Sequence, residues 1–71
     1  MKKTYKLADL DCANCAAKME RAIQKIDGVQ SASVQFMSQR LTIEAEERDM
    51  ARILAEAARA IAKIEPHCKI V

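Results

Sequence analysis

The hydrophobic period of this chain switches repeatedly between two and about 3.6 residues, and this succession restricts its fold more than any other feature. Tyr5 and Leu7 alternate with Thr4, Lys6 and Ala8, which predicts a half-buried strand over residues 4–8. Asp9 to Cys12 break the alternation. From about Ala13 onward, Ala16, Met19, Ile23 and Ile26 recur at spacings of three and four, with Ala22 beside them, and form one helical stripe. Lys18, Glu20, Arg21, Gln24 and Lys25 fall largely off that stripe. The helix is expected to end at Asp27-Gly28, where glycine takes a left-handed conformation without steric cost.

Alternation resumes over residues 29–36, with Ala32, Val34 and Phe36 on one face. Met37-Ser38-Gln39 is a short polar connection, and Leu41, Ile43 and Ala45 then alternate with Arg40, Thr42 and Glu44. Two alternating runs so closely joined predict an antiparallel hairpin. Glu46, Glu47 and Asp49 place negative charge where a helix N-terminus favours it, and Met50, Ile53, Leu54, Ala57, Ile61 and Ile64 mark a second amphipathic helix. Pro66 excludes helical geometry from the residue before it, so this helix ends by Ile64 or Glu65. His67 to Val71 are expected to form a last strand in which Cys68 and Ile70 share a face.

Each strand-helix-strand half has an apolar face that it cannot bury alone. The economical packing is an α+β, ferredoxin-like βαββαβ sandwich, with both helices on one face of a four-stranded antiparallel sheet. Residues 1–71 are expected to form a single domain. In such a sandwich the loop after the first strand and the loop before the last one meet at one end. Asp11 to Cys15 and Glu65-Pro66-His67 are therefore expected neighbours.

Composition removes several function classes. Twelve Lys and Arg against ten Asp and Glu, spread along the chain, leave a charge of only +2 and no basic stripe for nucleic acid; one Tyr and one Phe offer little to stack on bases. Lys2 and Lys3 could open a signal peptide, but Thr4, Lys6, Asp9 and Asp11 interrupt any apolar core for one. No apolar run approaches the roughly 18 to 20 residues of a membrane span, so no direct membrane insertion is expected. Three cysteines, an odd number, argue against a secreted disulfide framework and for reduced thiols in the cytoplasm. A single His, no glycine-rich phosphate loop and no nucleophile-base pair argue against catalysis by this chain alone.

What remains is Asp11-Cys12-Ala13-Asn14-Cys15, two cysteines three positions apart where a helix begins. Thiolates select soft ions such as zinc, cadmium, lead, mercury and copper(I), and this spacing lets two of them point at one ion. A helix N-terminus further favours the thiolate. Two thiolates alone suit copper(I). A divalent ion asks for more donors and more negative charge, which Asp11 can supply, with Glu65, His67 or water in a further position. The same cysteines could form a redox disulfide, although thioredoxin-like plans place their pair differently.

Leu10-Asp11-Cys12-Ala13-Asn14-Cys15-Ala16, following a strand and opening a helix, resembles the metal-binding loop of the heavy-metal-associated domain family, and Gly28-Val29 extends the resemblance along the chain. The family includes soft-metal chaperones and the N-terminal domains of metal-exporting P-type ATPases. Copper members typically carry Gly-Met-Thr or Gly-Met-Ser before the first cysteine, whereas Asp9, Leu10 and Asp11 stand here. The Asp-Cys-x-x-Cys form is similar to the zinc, cadmium and lead ATPase branch, where the aspartate is expected to join the thiolates as a ligand. The resemblance implies a metal site of Cys12, Cys15 and Asp11, to which the loop argument adds Glu65, with zinc or cadmium as cargo. It also implies a parent transporter whose membrane and ATPase domains are the partners. A free-standing copper(I) or mercury chaperone is the alternative, and the expected state is a monomer or a metal-bridged dimer.

Ordinary roles compete with these readings. Asp11 could serve only as a helix N-cap. Cys68, alternating with Ile70, is expected in the core, His67 on the opposite, solvated face, Asn14 on the helix surface, and Leu10, Met19 and Met50 in apolar packing.

Overall fold

The computed structural model describes residues 1–71. β1 spans Lys2–Ala8, α1 Ala13–Gln24, β2 Val29–Gln35, β3 Arg40–Ala45, α2 Glu47–Ile64 and β4 Lys69–Ile70, the order that the hydrophobic periods predict. The strands form one antiparallel sheet in the order β2-β3-β1-β4. Leu7, Leu41, Ile43 and Ala45 from the central strands meet Met19 and Ile23 of α1 and Ile53, Ala57 and Ile61 of α2 in one apolar core. The alternate residues Lys2, Thr4, Lys6, Arg40 and Glu44 turn away from it, and all but the half-buried Glu44 are exposed. This is the α+β ferredoxin-like sandwich, with both helices packed on one face of the sheet.

Local differences have identifiable causes. β1 starts at Lys2 and not at Thr4, because Lys2 to Lys6 pair continuously with Glu44 to Arg40. α1 stops at Gln24, short of Asp27. The amides of Lys25 and Ile26 donate three residues back, to the carbonyls of Ala22 (3.2 Å) and Ile23 (3.0 Å), so the last turn tightens and Ile26 leaves the helix while still packing on the core. In β2 the register shifts between Val29 and Ser31, leaving Gln30 as an extra residue. This bulge resets the alternation, so that Val29 and Ala32, three positions apart, both reach the core side. β4 comprises only Lys69–Ile70, not residues 67–71.

As an edge strand, β2 carries outward-facing polar groups, and α1 covers two of them. The Val34 amide donates to the Glu20 carboxylate at 2.9 Å, and the Gln24 side-chain amide donates to the Ala32 carbonyl at 2.9 Å. These bonds tether the polar flank of α1 to the sheet and block further strand pairing there.

Gly28 adopts a φ of 95° between α1 and β2. Arg52 of α2 crosses this corner, donating to the Asp27 carbonyl at 2.9 Å and to the Glu56 carboxylate at 2.7 Å. A Cβ on Gly28 would lie 2.9 Å from the Arg52 Nη2. Gly28→Ala is therefore expected to lower unfolding free energy by about 1–2 kcal/mol, the cost of a left-handed conformation for a residue with a Cβ. Gly28→Asn should lose less. Urea denaturation checks both, and equal losses would show that the Arg52 contact outweighs the backbone.

Candidate metal centre

Past β1, the chain turns at Asp9, which holds a left-handed φ of 62°. Asp is among the residues that tolerate this region. The reversal sends Leu10 back into the core, where it is 2 % exposed, as its apolar character predicts. Outside any strand, the Leu10 backbone still needs partners, and Gln39 supplies them. Its side-chain carbonyl accepts from the Leu10 amide at 3.0 Å while its side-chain NH2 donates to the Leu10 carbonyl at 2.6 Å. The Gln39 backbone carbonyl accepts from the Leu7 amide at 2.7 Å. One residue of the β2–β3 turn, itself at a left-handed φ of 56°, thus clamps the loop that presents Asp11 and Cys12. Residue pattern alone marks 37–39 only as a connection. The available signal was faint: a turn lacking Gly or Asn whose last residue has a long amide side chain.

The N-cap of α1 is Cys12, not Asp11. Cys12 is extended (φ −132°, ψ 121°), its Sγ accepts the Cys15 amide at 3.2 Å, and its carbonyl receives the Ala16 amide at 3.0 Å. A thiol sulfur thus fills the position usually taken by Ser, Thr, Asp or Asn. Asp11 is exposed and makes no helix-capping hydrogen bond, so the capping role weighed for it does not apply.

The two thiols share their protons unequally. The hydrogen bond with the Cys15 side chain, followed by those from the Cys15 and Asn14 amides, lowers the Cys12 pKa against burial and the charge of Glu65. That same bond raises Cys15 to about 11, helped by burial and by repulsion from Cys12 and Glu65. Of the two sulfurs, Cys12 is therefore the one that loses its proton more readily, and Cys15 holds its proton more firmly. Cys68 is buried and its pKa is raised by burial first, then by Glu65, Asp9 and Asp11. It is a neutral core thiol, as its alternation with Ile70 predicts.

At the far end of α2, Pro66 holds Glu65 in extended geometry (φ −144°, ψ 99°). The Cys68 amide then donates to the Glu65 carbonyl at 3.0 Å, closing a turn with Pro at its second position. This turn corrects the expectation that His67 belongs to the last strand, although its side chain is solvated as expected. Glu65 and His67 instead stand side by side, with His67 Nε2 4.0 Å from Glu65 Oε1. The Glu65-Pro66-His67-Cys68 order carried that turn signal in the sequence.

The expected meeting of the two loops is present. Ligand atoms of Asp11, Glu65 and His67 all lie within 4.8 Å of one another, and the Glu65 charge acts on both Cys12 and Cys15. Glu65 is only 8 % exposed, and its Oε2 has no hydrogen-bond partner. Leaving such an oxygen unpaired costs about 1–3 kcal/mol, and more when charged. A cation beside it removes that cost. Cys12 and Cys15 are not members of that cluster; the two carboxylates and the imidazole suit a borderline divalent ion, and the thiols of the adjoining helix start suit a soft one.

A βαββαβ sandwich with a cysteine pair at its first strand-to-helix corner defines a small metal-binding module. Residues 4–68 match the heavy-metal-associated domain, and the chain belongs to that family. It is 30 % identical over 70 residues, 99 % of its length, to the cadmium, zinc and cobalt-transporting ATPase of Bacillus subtilis strain 168. The chain spans a tenth or less of the length of the curated relatives it matches. Among solved structures, the apo N-terminal domain of ZntA superposes with a TM-score of 0.73 at 27 % identity, covering 99 % of this chain and 90 % of that one. The Cu(I)-loaded N-terminal domain of a potential copper-translocating P-type ATPase from Bacillus subtilis superposes at 0.75 with 26 % identity, covering 97 % and 84 %. The domain is not itself catalytic, and no helix is long and apolar enough to cross a membrane.

Two outcomes follow from this geometry. An ion closed on both sulfurs must displace at least the Cys15 proton, so metal affinity should rise with pH, by at least about tenfold per unit between pH 7 and 9; a competitive chelator titration at several pH values measures the slope, and a flat profile would contradict a protonated Cys15. Gln39→Ala should destabilise the fold by about 1–2 kcal/mol through the unpaired Leu10 backbone, and should also weaken metal binding. Denaturation and titration of the same variant separate the two effects.

Proposed function

We propose that this domain binds a divalent soft ion, zinc or cadmium with lead as a related cargo, through Cys12, Cys15, Asp11 and Glu65. The single observation that carries the divalent reading is the buried Glu65 carboxylate, whose Oε2 lacks any partner. Two thiolates neutralise a dipositive ion, and carboxylates at Asp11 and Glu65 raise the donor number from two to four, as a tetrahedral site requires. Copper(I) needs only the two sulfurs and gains little from hard oxygen donors. That Asp11 is free of capping duty supports its part in the set.

Residues 1–71 act in this reading as one domain, monomeric, at the cytosolic N-terminus of a heavy-metal-exporting P-type ATPase, where it accepts or regulates transfer of the ion. The name of the Bacillus subtilis relative, a cadmium, zinc and cobalt-transporting ATPase, supports this role. Any ATP hydrolysis and any membrane passage belong to the parent chain. The exposed rim of the site, with Asp11 open to solvent, suits exchange with a partner better than permanent retention. A second reading, a copper(I) module or free-standing chaperone, is favoured by the likeness to the Cu(I)-loaded domain and by the two-sulfur core.

Competitive titration of the reduced protein with zinc, cadmium and copper(I) decides between them. Asp11→Ala and Glu65→Ala are expected to weaken zinc and cadmium by at least about tenfold, ~1.4 kcal/mol, while copper(I) affinity changes by less than about threefold. Equal losses for all three ions, or none, would remove the carboxylates from the site and favour copper(I).

A further inference from the structure

We propose that Asp11, Glu65 and His67 form a thiol-independent station for a divalent cation, beside the cysteine pair, where an incoming ion is held before the sulfurs take it. The ligand atoms of these three residues lie within 4.8 Å of one another with no cysteine among them. One imidazole nitrogen and two carboxylate oxygens can sit on one side of an ion, leaving the other side for water or incoming sulfur. Two carboxylates balance a charge of two.

The burial gradient gives this set a direction. Asp11 is exposed and the His67 side chain is 69 % exposed, whereas Glu65 is more than nine-tenths buried. The Glu65 Oε2 lacks a hydrogen-bond partner even though its other oxygen has His67 at 4.0 Å. A buried carboxylate with one oxygen facing His67 and the other left without a partner is the feature that a cation would complete. His67 makes no other ion pair, so its imidazole is available to a metal. Zinc, cadmium and cobalt accept such nitrogen and oxygen donors, whereas copper(I) favours sulfur. The station therefore sorts by charge and hardness before the thiolates are reached.

Hand-over keeps the ion divalent. Two metal–sulfur bonds form, the metal–imidazole bond and the bonds to water break, and each proton the two thiols carry passes to solvent. Asp11 and Glu65 can stay bound throughout. The hand-over rests on the proposed cysteine site, but the station does not, and the two can be tested apart.

The test begins with the Cys12→Ser/Cys15→Ser variant, in which serine retains the N-cap of α1. Calorimetric titration with zinc should give one weakened but saturable site, and cobalt(II) should give visible bands without sulfur charge transfer. Adding His67→Ala, an exposed substitution with little risk to folding, should weaken zinc by at least about tenfold, and adding Glu65→Gln should do the same. A double-serine variant that binds no zinc at millimolar concentration would overturn the station. So would binding that is indifferent to both further changes. In the intact protein, stopped-flow cadmium–sulfur absorbance should appear several-fold more slowly in His67→Ala, and an unchanged rate would overturn the hand-over. If cadmium gives no sulfur absorbance in the intact protein, the proposed cysteine site falls while the station stands on the serine background.

Discussion

The first turn of α1 is held by a sulfur atom. Cys12 Sγ accepts the Cys15 amide at 3.2 Å, which satisfies a helix-end donor and stabilises negative charge on the sulfur at once. Structure and chemistry are coupled at this point. The interaction with the Cys15 side chain lowers the Cys12 pKa most, and the amide bond that starts the helix lowers it further, while Cys15 is raised. A serine in the same place would cap the helix as well but offer no soft donor, and an aspartate would offer only a hard one. The remainder of the fold presents this turn: Asp9 reverses the chain, Leu10 anchors it in the core, and Gln39 holds the Leu10 backbone from the neighbouring turn.

Opposite that turn stands a carboxylate in an unfavourable place. Glu65 is drawn inward because it follows the last turn of an apolar helix and because Pro66 forces its backbone into extended geometry. The resulting orphan oxygen is a local cost to the metal-free fold. It also raises the pKa of the nearby thiols, Cys15 and Cys68, by its charge. The corner thus accumulates negative charge, and in the proposed site the carboxylate that costs the metal-free fold is the one that would favour a bound cation.

Much of this was legible from residue order. Alternation and helical spacing located all six elements, and the Cys-x-x-Cys pair stood where the first strand hands over to a helix. The approach of Glu65 to Asp11 followed from the topology alone. Three features were not. Asp11 rather than Cys12 was weighed as the cap, because capping preferences are averages over side chains and cannot register which of two adjacent residues the chain reversal aims at the helix amides. His67 was read as strand because alternation from Cys68 and Ile70 extends backward through it, while the Glu65–Cys68 turn interrupts the period. The extra residue at Gln30 disturbs a period of two in the same way, and neither displacement alters composition.

The sequence by itself determined the succession of elements, the membership of the core and the presence of two soft donors on one turn, because these depend on spacing along the chain. Element order also implied that Glu65 and His67 approach that turn; only the tertiary structure decided which residue clamps the loop and how deeply each of these side chains is buried. Gln39 lies 29 residues from Leu10, and Glu65 and His67 stand a whole helix-hairpin-helix away from Asp11. Their proximity arises from packing both helices over one sheet, so that two loops remote in sequence close on the same corner. Whether a carboxylate there is solvated or buried with an open oxygen is likewise a matter of what packs around it, and Glu65 is buried with one oxygen unpartnered.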